Sequence, residues 1–281
     1  MPLLYDKALE FALFRTYAVP SISATLARSG GFERDAAVRY DDTHLLLREM
    51  AENGGRGSER YAAASRRLNS IHAARAPHAT GEEFAYVLSL FVLEPIRWAR
   101  RYGWRPMSRS EQLANLYFWR EVGEDMGIDE RLLPDSLEEM ERFNEGFEAE
   151  RMRFAKSNVS TGEATMELLL SAYPRMLRPA VRACVVALLD DRLLLAMGYE
   201  RPPVWLRRAV DGAMRARALL LRLLAPPRLG PVLRRTPEDG APRAPCGALL
   251  PSFNVYRTKQ GRYPYGAGYK IEELGDARPL S

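Results

Sequence analysis

One histidine of this chain has a spacing that could bind a metal. His72 falls within residues 58–77, where Ser58 is a typical helix N-cap and Pro77 a typical helix terminator. Residues that share one face of this predicted helix recur at steps of three and four, at Tyr61, Ala64, Leu68, His72 and Arg75. The imidazole therefore lies on the stripe that we expect to face the core. A buried imidazole is either a hydrogen-bonded core group, which is the commoner case, or a metal ligand such as the axial ligand of a haem.

The preceding helix carries polar residues on its inward stripe. This helix is expected over residues 35–51, before a pair of glycines. The stripe that we expect to face the core consists of Arg39, Thr43, Leu46, Leu47 and Met50. A desolvated guanidinium needs a partner. Arg39 therefore indicates an anionic or polar group opposite this helix.

The other two histidines are expected at the surface. His44 adjoins Thr43, so its side chain points about 100° away around the helix. His78 lies just past the predicted end of the helix that carries His72. Neither is expected to bind a metal.

The elements that would position these residues are helices. Longer helices are predicted over residues 177–197 and 204–224, and no segment alternates apolar and polar residues with period two. We expect an all-α fold, a single bundle of about eight to ten helices. Four helix starts carry the capping-box pattern, namely Thr80 with Glu83, Ser108 with Glu111, Ser136 with Glu139, and Ser160 with Glu163.

The composition changes near residue 225. Residues 1–224 are expected to form the helical domain, whereas residues 225–251 are rich in Pro, Gly and Arg and predict an extended segment. Aromatic residues and glycines are frequent from residue 253 to residue 275, which suggests a strap packed across the bundle. Residues 225–281 are thus predicted to be a Pro/Gly-rich segment and a C-terminal strap on the same domain.

The net charge of +5 comes almost wholly from arginines that are spread through the predicted helices and interleaved with carboxylates. With no nucleic-acid-binding motif, this spread is typical of a solvated surface, and we expect no nucleic-acid partner. Residues 205–224 form a basic amphipathic helix. A closing helix of the bundle is its commoner interpretation, and contact with an anionic membrane surface is the other.

The cysteines and the lengths of the apolar runs indicate the cellular compartment of the protein. Cys184 and Cys246 form neither a disulfide framework nor a metal motif, which fits a reducing cytoplasm. Asp6 and Glu10 interrupt the first apolar run, and no run approaches the ~20 residues of a membrane span. A cytoplasmic protein without a transmembrane segment is expected.

Several segments, taken in order, resemble the family of MpaB-type oxygenases and rubber oxygenases, which includes the latex-clearing proteins. They are RYDDT (39–43), RRLNSIHAARAP (66–77), MSRSEQLANLYFWREVGEDMGI (107–128), LPDSLEEM (133–140) and YGAGYKIEELG (265–275). The resemblance covers roughly residues 10–224 and the final strap. It implies an all-helical fold that encloses a b-type haem and uses dioxygen as co-substrate.

The resemblance assigns roles to individual residues. His72 matches the proximal haem ligand, with Arg75 as a cofactor-binding residue beside it, and Arg39 and Thr43 match residues on the other side of the haem. Arg39 is thus expected both to contact the cofactor and to act in catalysis with Thr43. Asp42 stands where the rubber oxygenases have a lysine that can cap the iron. A carboxylate cannot be the same neutral ligand, so an open or water-filled sixth position is implied, with Asp42 a further catalytic candidate.

The function that this resemblance implies is a haem-dependent oxygenase acting on a small hydrophobic organic substrate, an unsaturated isoprenoid-like compound or secondary metabolite. Rubber itself is a poor candidate, because the upstream helix over residues 21–29 lacks the glutamate that the rubber enzymes use as a base. Two alternatives stay open. One is a non-catalytic protein that stores or senses haem or gas, and the other is a haem-free helical binding protein of the same fold.

Overall fold

The computed structural model describes residues 2–28, 31–225, 236–237, 248–249 and 268–275. Over these residues the fold is all-α, as predicted, with eleven α-helices and four short 3₁₀ turns. An isolated antiparallel bridge between Leu249 and Tyr269 is the β pairing found in the described part of the chain. None of the helices described combines the length and apolarity needed to cross a bilayer.

The α-helices follow the chain as α1 (Pro2–Thr16), α2 (Pro20–Arg28), α3 (Gly31–Glu52), α4 (Glu59–Arg75), α5 (Gly81–Tyr102), α6 (Arg109–Asp125), α7 (Leu137–Arg151), α8 (Lys156–Ser171), α9 (Arg178–Leu188), α10 (Asp191–Met197) and α11 (Val204–Leu224).

The chain divides into two compact units. Unit 1 comprises Met1–Ala27 and Ala79–Pro231, and unit 2 comprises Arg28–His78 and Val232–Ser281. All five residues with a predicted site role belong to unit 2. Unit 1 supplies most of the helices.

Helix α5 is the centre of unit 1. It packs against α1, α6, α7 and α11, and its middle turns are buried on every side. Gly123 of α6 allows close packing there, because a Cβ at this position would lie 2.8 Å from Leu88 Cδ1. The helix begins with the predicted capping box, in which the Glu83 amide donates to Thr80 Oγ1 and the Thr80 amide donates to the Glu83 carboxylate.

Of the other three predicted helix starts, one has a full capping box, one has half of a box and one is wrong. Ser108 caps α6 with a full capping box. Ser136 accepts from the Glu139 amide, but the Glu139 carboxylate accepts from the amide of residue 135, so only half of that box forms. The start predicted at Ser160 is wrong, because α8 already begins at Lys156.

Tertiary contacts explain the earlier start of α8. Asn158 is fully buried in its first turn. Its amide nitrogen donates to the carbonyls of Ala18, Arg153 and Ala196, and its oxygen accepts from Ser23 Oγ. These four bonds hold Asn158 in the first turn of α8. They outweigh the capping pattern of Ser160 with Glu163, which would start the helix later.

The single helix predicted over residues 177–197 is also wrong, since α9 ends at Leu188 and α10 begins at Asp191. Asp190 lies in the break and caps α10, accepting from the Leu193 amide at 3.0 Å. Its carboxylate also accepts from the Arg15 guanidinium. The break thus presents a carboxylate to a buried cation. For this reason the number of helices exceeds the predicted eight to ten.

A buried ion cluster holds α1, α7 and α10 together. Arg15 donates from two nitrogens to Glu148 at 2.6 and 2.7 Å, and the side chains are only 9% and 3% exposed. Tyr86 adds a hydroxyl donor to the same carboxylate at 3.2 Å. Burial by itself lowers the pKa of Arg15, but the Glu148 carboxylate outweighs burial and holds that pKa above its usual value. Arg15 therefore stays protonated.

Replacing Arg15 tests how far unit 1 depends on this cluster. Arg15→Leu leaves Glu148 as a buried charge without its main partner, so the free energy of unfolding in urea should fall by about 3–5 kcal/mol. The double variant Arg15→Leu/Glu148→Leu should recover part of that loss. Arg131→Leu is the control, because Arg131 is 91% exposed. That substitution should change the free energy of unfolding by less than ~0.5 kcal/mol. Equal effects of Arg15→Leu and Arg131→Leu would contradict the assignment.

Candidate functional site

The predicted site residues lie on a hairpin of two helices. α3 and α4 pack against each other and are joined by a 3₁₀ turn at Gly55–Gly57. Gly54 makes the reversal possible with a φ of 85°, and Ser58 caps α4 by accepting from the Tyr61 amide at 3.0 Å, as predicted. Because the helices run in opposite directions, the first half of α3 lies beside the end of α4.

His72 occupies the last turn of α4. Tyr61 and Ala64 on the same stripe are buried, whereas Leu68, His72 and Arg75 are half-buried. Desolvation of the imidazole lowers the pKa of His72 to about 4. At neutral pH the ring is therefore uncharged, which is the protonation state that can bind a metal.

The buried face of α3 differs from the predicted stripe. Leu46 and Met50 are buried as expected, but Arg39 and Thr43 are half-buried at the flank of this face. Its centre is polar, with Asp42 4% exposed and Glu49 fully buried. The stripe predicted for α3 included neither carboxylate, because a hydrophobic pattern does not show which partners would accompany them. The buried residues described on this side of α3 are Val38, Asp42, Leu45, Leu46, Glu49 and Met50, and buried Asn53 follows just past its end.

Asp42 and Arg75 meet through one glycine near the C-terminus. The Gly275 amide donates to the Asp42 carboxylate at 2.7 Å, and the Gly275 carbonyl accepts from the Arg75 guanidinium. A Cβ on Gly275 would lie 2.5 Å from Cδ1 of Ile71, the residue before His72. The structure therefore brings Asp42, Arg75 and the His72 turn of α4 to one end of the hairpin.

Residues 268–275 are the described part of the strap predicted from the sequence, and they run along the hairpin. From here on, the strap means these residues. Arg67 of α4 donates to the Leu274 carbonyl at 2.6 Å, and Tyr269 pairs with Leu249 in the β bridge at 2.7 and 2.8 Å. The sequence predicted an aromatic strap, and its described part packs on α3 and α4. The remainder of that prediction lies outside the described residues.

Glu49 anchors the other end of the strap. Arg60 donates to both of its carboxylate oxygens, at 2.7 and 2.5 Å. Asn53 donates to it at 2.9 Å, and the Tyr269 hydroxyl also donates to it. Burial and then the nearby carboxylate raise the pKa of Tyr269 well above its usual value, so the hydroxyl keeps its proton. The predicted stripe did not include Glu49, although its position three residues after Leu46 makes the two neighbours on one side of α3.

The two remaining histidines differ in exposure. His44 is half-buried, stacks on Tyr40 with ring centroids 5.7 Å apart, and accepts from Arg48 Nε at 3.3 Å. His78 is exposed. The surface position predicted for His78 is confirmed, whereas His44 is partly enclosed by its own helix.

Two cavities of substantial size lie elsewhere. A groove of about 610 Å³ in unit 2 lies between the first turns of α4 and the strap. A cleft of about 550 Å³ in unit 1 surrounds the Arg15–Glu148 cluster, whose charges are paired with each other. Neither is lined by His72, Arg75, Arg39, Asp42 or Thr43.

The donor set at the His72 end of the hairpin fits a haem in its chemistry. A haem iron needs a single imidazole from the protein, and the neutral His72 ring supplies that type of ligand. Guanidinium groups are suited to propionates, and Arg39 and Arg75 lie on the two helices of this hairpin. Arg75 has five N–H donors, and the bond to Gly275 uses the Nη2 group.

Comparison with known proteins identifies relatives of the chain. Residues 9–222 match the family model described as ER-bound oxygenase mpaB/B'/Rubber oxygenase, catalytic domain. The chain is 31% identical over 243 residues to ER-bound oxygenase mpaB' of Penicillium brevicompactum, covering 81% of this chain and 57% of that protein. It is also 31% identical over 214 residues to ER-bound oxygenase mpaB of Penicillium roqueforti, covering 70% of this chain and 71% of that protein.

A third relative, ER-bound oxygenase mpaB of Penicillium brevicompactum, is 28% identical over 244 residues. That match covers 81% of this chain and 55% of the relative. The chain thus spans little more than half the length of the two Penicillium brevicompactum proteins.

The fit of Gly275 against α4 can be tested by adding one methyl group. Gly275 has a φ of 79° and no room for a Cβ, whereas Gly127 has a φ of 74° with no atom within 4 Å of the added Cβ. Gly127→Ala should therefore cost only the backbone strain, about 1 kcal/mol. Gly275→Ala adds the clash with Ile71 and should cost about 2–4 kcal/mol. Amide hydrogen exchange of residues 268–275 should then be at least about 30-fold faster.

An Ile71→Ala background provides the control for this clash. In that background Gly275→Ala should cost no more than Gly127→Ala does. Unchanged exchange of the strap in the Gly275→Ala variant would show that the strap is not held by this contact.

Proposed function

The chain belongs to the mpaB/rubber oxygenase catalytic-domain family, and from this premise we propose that it is a haem-dependent oxygenase with His72 as the iron ligand. The observation that carries the proposal is the position of His72 at the end of the α3–α4 hairpin where Asp42 and Arg75 also meet. Family membership supports an oxidoreductase. The haem, dioxygen and the substrate are our proposals.

His72 has the surroundings that a ligand role requires. The end of α4 is fixed by the strap through Arg75, and by Ile71 against Gly275. A ligand held on a rigid helix keeps its ring orientation without losing conformational entropy on binding. A bound haem would supply an iron centre for the activation of dioxygen, and the His72 imidazole would bind that iron.

Arg39 and Thr43 are the further donors that we assign to the cofactor or the substrate. Their four-residue spacing makes them neighbours on α3, with Cβ atoms about 5–6 Å apart. Both are half-buried. A guanidinium and a hydroxyl in such a position can orient an oxygen atom of a substrate or hold a propionate.

Asp42 has a positioning role in this proposal. Its carboxylate is buried and accepts from the Gly275 amide. Through Gly275 it sets the position of the Arg75 guanidinium. The lysine that the rubber oxygenases have at this position could instead supply a neutral amine. Asp42 therefore differs from that lysine in charge as well as in what it binds.

The proposed substrate is a small, hydrophobic, unsaturated compound of the isoprenoid or secondary-metabolite type. The cytoplasmic location expected from the sequence stays a prediction, and the relatives' names describe them as ER-bound. A second copy of the chain is not required by any part of this proposal.

The ligand assignment predicts the effect of removing each histidine. His72→Ala should lose the Soret band and the stoichiometric haem measured after reconstitution and gel filtration. His44→Ala and His78→Ala are the matched controls and should keep both, because neither residue lies on the stripe of α4 that carries His72. Wild-type protein without a Soret band would favour the haem-free alternative, and a His72→Ala variant with full haem would overturn the assignment.

Arg39→Ala separates two roles of the guanidinium. If Arg39 orients a reacting group, dioxygen consumption with an isoprenoid alcohol such as geraniol should fall about 100-fold while haem content stays near normal. If it holds a propionate, haem content itself should fall. Arg66→Ala is the control, because Arg66 is exposed on α4. Normal haem content together with normal turnover would exclude both roles.

A further inference from the structure

Helix α11 buries one side and leaves large apolar side chains in water on the other. Ala218 is buried, and Arg207 near the start of the helix is tied to Asp191 at 2.9 Å. On the opposite side, exposure reaches 69% at Trp205, 68% at Leu223 and 74% at Leu224. Single exposed leucines are ordinary at a protein surface, but a cluster of this kind marks an interaction surface.

Most of the large exposed apolar residues of α11 fall in one arc. With about 100° per residue, Trp205, Leu219, Leu220, Leu223 and Leu224 lie within about 140°, whereas Val204, 64% exposed, and Leu221, 40% exposed, lie beyond its edges. The arc runs about 28.5 Å along the helix, at 1.5 Å per residue. We call these five residues the α11 face.

A neighbouring turn also exposes apolar side chains. α9 and α11 pack against each other, and the end of α9 lies at the start of α11, where Arg207 donates to the Leu189 carbonyl. The two helices therefore run in opposite directions, and the 3₁₀ turn before α9 lies toward the end of α11. In that turn Met176 is 86% exposed and Leu177 is 49% exposed.

Arginines border the arc on both sides. Arg208 and Arg222 fall on one edge and Arg217 on the other, within about 60° of the nearest leucine. None of these three makes an ion pair with any residue that the structure describes. Arg215, on the same edge as Arg208, is by contrast paired with Asp211 at 2.8 Å. The borders of the α11 face thus carry positive charge that is not neutralised.

We propose that the α11 face docks the protein on the surface of an anionic lipid bilayer. Apolar side chains flanked by arginines on both edges match the boundary between acyl chains and acidic headgroups, where leucines insert and guanidinium groups reach phosphates. Trp205 is of the type that anchors at this boundary. The occupant is therefore a bilayer surface, bound without a membrane-spanning segment.

A helical partner protein explains the exposed apolar residues and bordering arginines of α11 less well than a bilayer does. The seam of a two-helix coiled coil uses a narrower stripe than this arc of about 140°. A second copy of this chain paired through α11 in antiparallel orientation would bring the edge that carries Arg208, Arg215 and Arg222 against the same edge of the other copy. The proposal does not depend on the haem assignment.

Binding to vesicles of defined composition tests the proposal. Full-length protein should co-sediment with vesicles of phosphatidylcholine containing 30% phosphatidylserine, and much less with pure phosphatidylcholine. Binding should weaken as salt rises, because the arginine contribution is screened. Equal, negligible sedimentation with both compositions would overturn the proposal.

Two pairs of variants separate the apolar and the charged contributions. Leu223→Glu should lower the partition coefficient at least tenfold, whereas Leu195→Glu, at a leucine 63% exposed on α10, should leave it unchanged. Arg217→Glu and Arg222→Glu should each lower it about fivefold or more, whereas Arg142→Glu, at an arginine 77% exposed on α7, should not. Folding of each variant is checked by circular dichroism, and equal effects of a variant and its control would contradict the assignment.

Tryptophan fluorescence locates the contact. The emission of the wild type should shift to shorter wavelength and become protected from acrylamide when anionic vesicles are added. The chain has four tryptophans, so Trp205→Phe should remove most of that change. A concentration-dependent dimer that Leu223→Glu dissociates, together with no vesicle binding, would instead assign the face to a second copy of the chain.

Discussion

Unit 2 depends on a buried carboxylate that is surrounded by hydrogen-bond donors. Glu49 is fully enclosed, and such a group is stable only when its lone pairs are satisfied. Arg60 does this from α4, Asn53 from just past the end of α3 and Tyr269 from the strap. One buried carboxylate therefore joins the α3–α4 hairpin to a residue 220 positions later. Asp42 repeats the arrangement near the middle of α3, with a backbone amide as donor.

The strap thereby becomes part of the candidate site. It contacts the hairpin through backbone groups at Leu274 and at Gly275, and the Leu274 side chain is fully buried. Only glycine fits at residue 275, because the φ is positive and Ile71 fills the space of a Cβ. The end of α4 that carries His72 is consequently positioned by a residue about 200 positions later. The family match ends at residue 222, and the strap lies beyond it.

Unit 1 also buries polar and charged groups together with their partners. The Arg15–Glu148 pair, with Asp190 and Tyr86, places charges in a helical core that is otherwise apolar. Asp190 also explains why an apolar run breaks into α9 and α10. The borders of the α11 face differ, since Arg208, Arg217 and Arg222 form no ion pair with the described residues. Positive charge thus stays unneutralised at the surface that we assign to a bilayer.

The sequence by itself determined the helical class, the family, and the α4 helix with its Ser58 cap, because periodicity and capping are local properties of the chain. It also singled out His72, Arg39, Thr43, Asp42 and Arg75, through the resemblance. Tertiary structure decided which residues of α3 are buried, where α8 begins and where α9 ends. Those outcomes rest on Glu49, Asn158 and Asp190, polar residues whose burial is favourable only beside partners from distant segments. A pattern of hydrophobicity contains no information about such partners, so only the folded chain could place them.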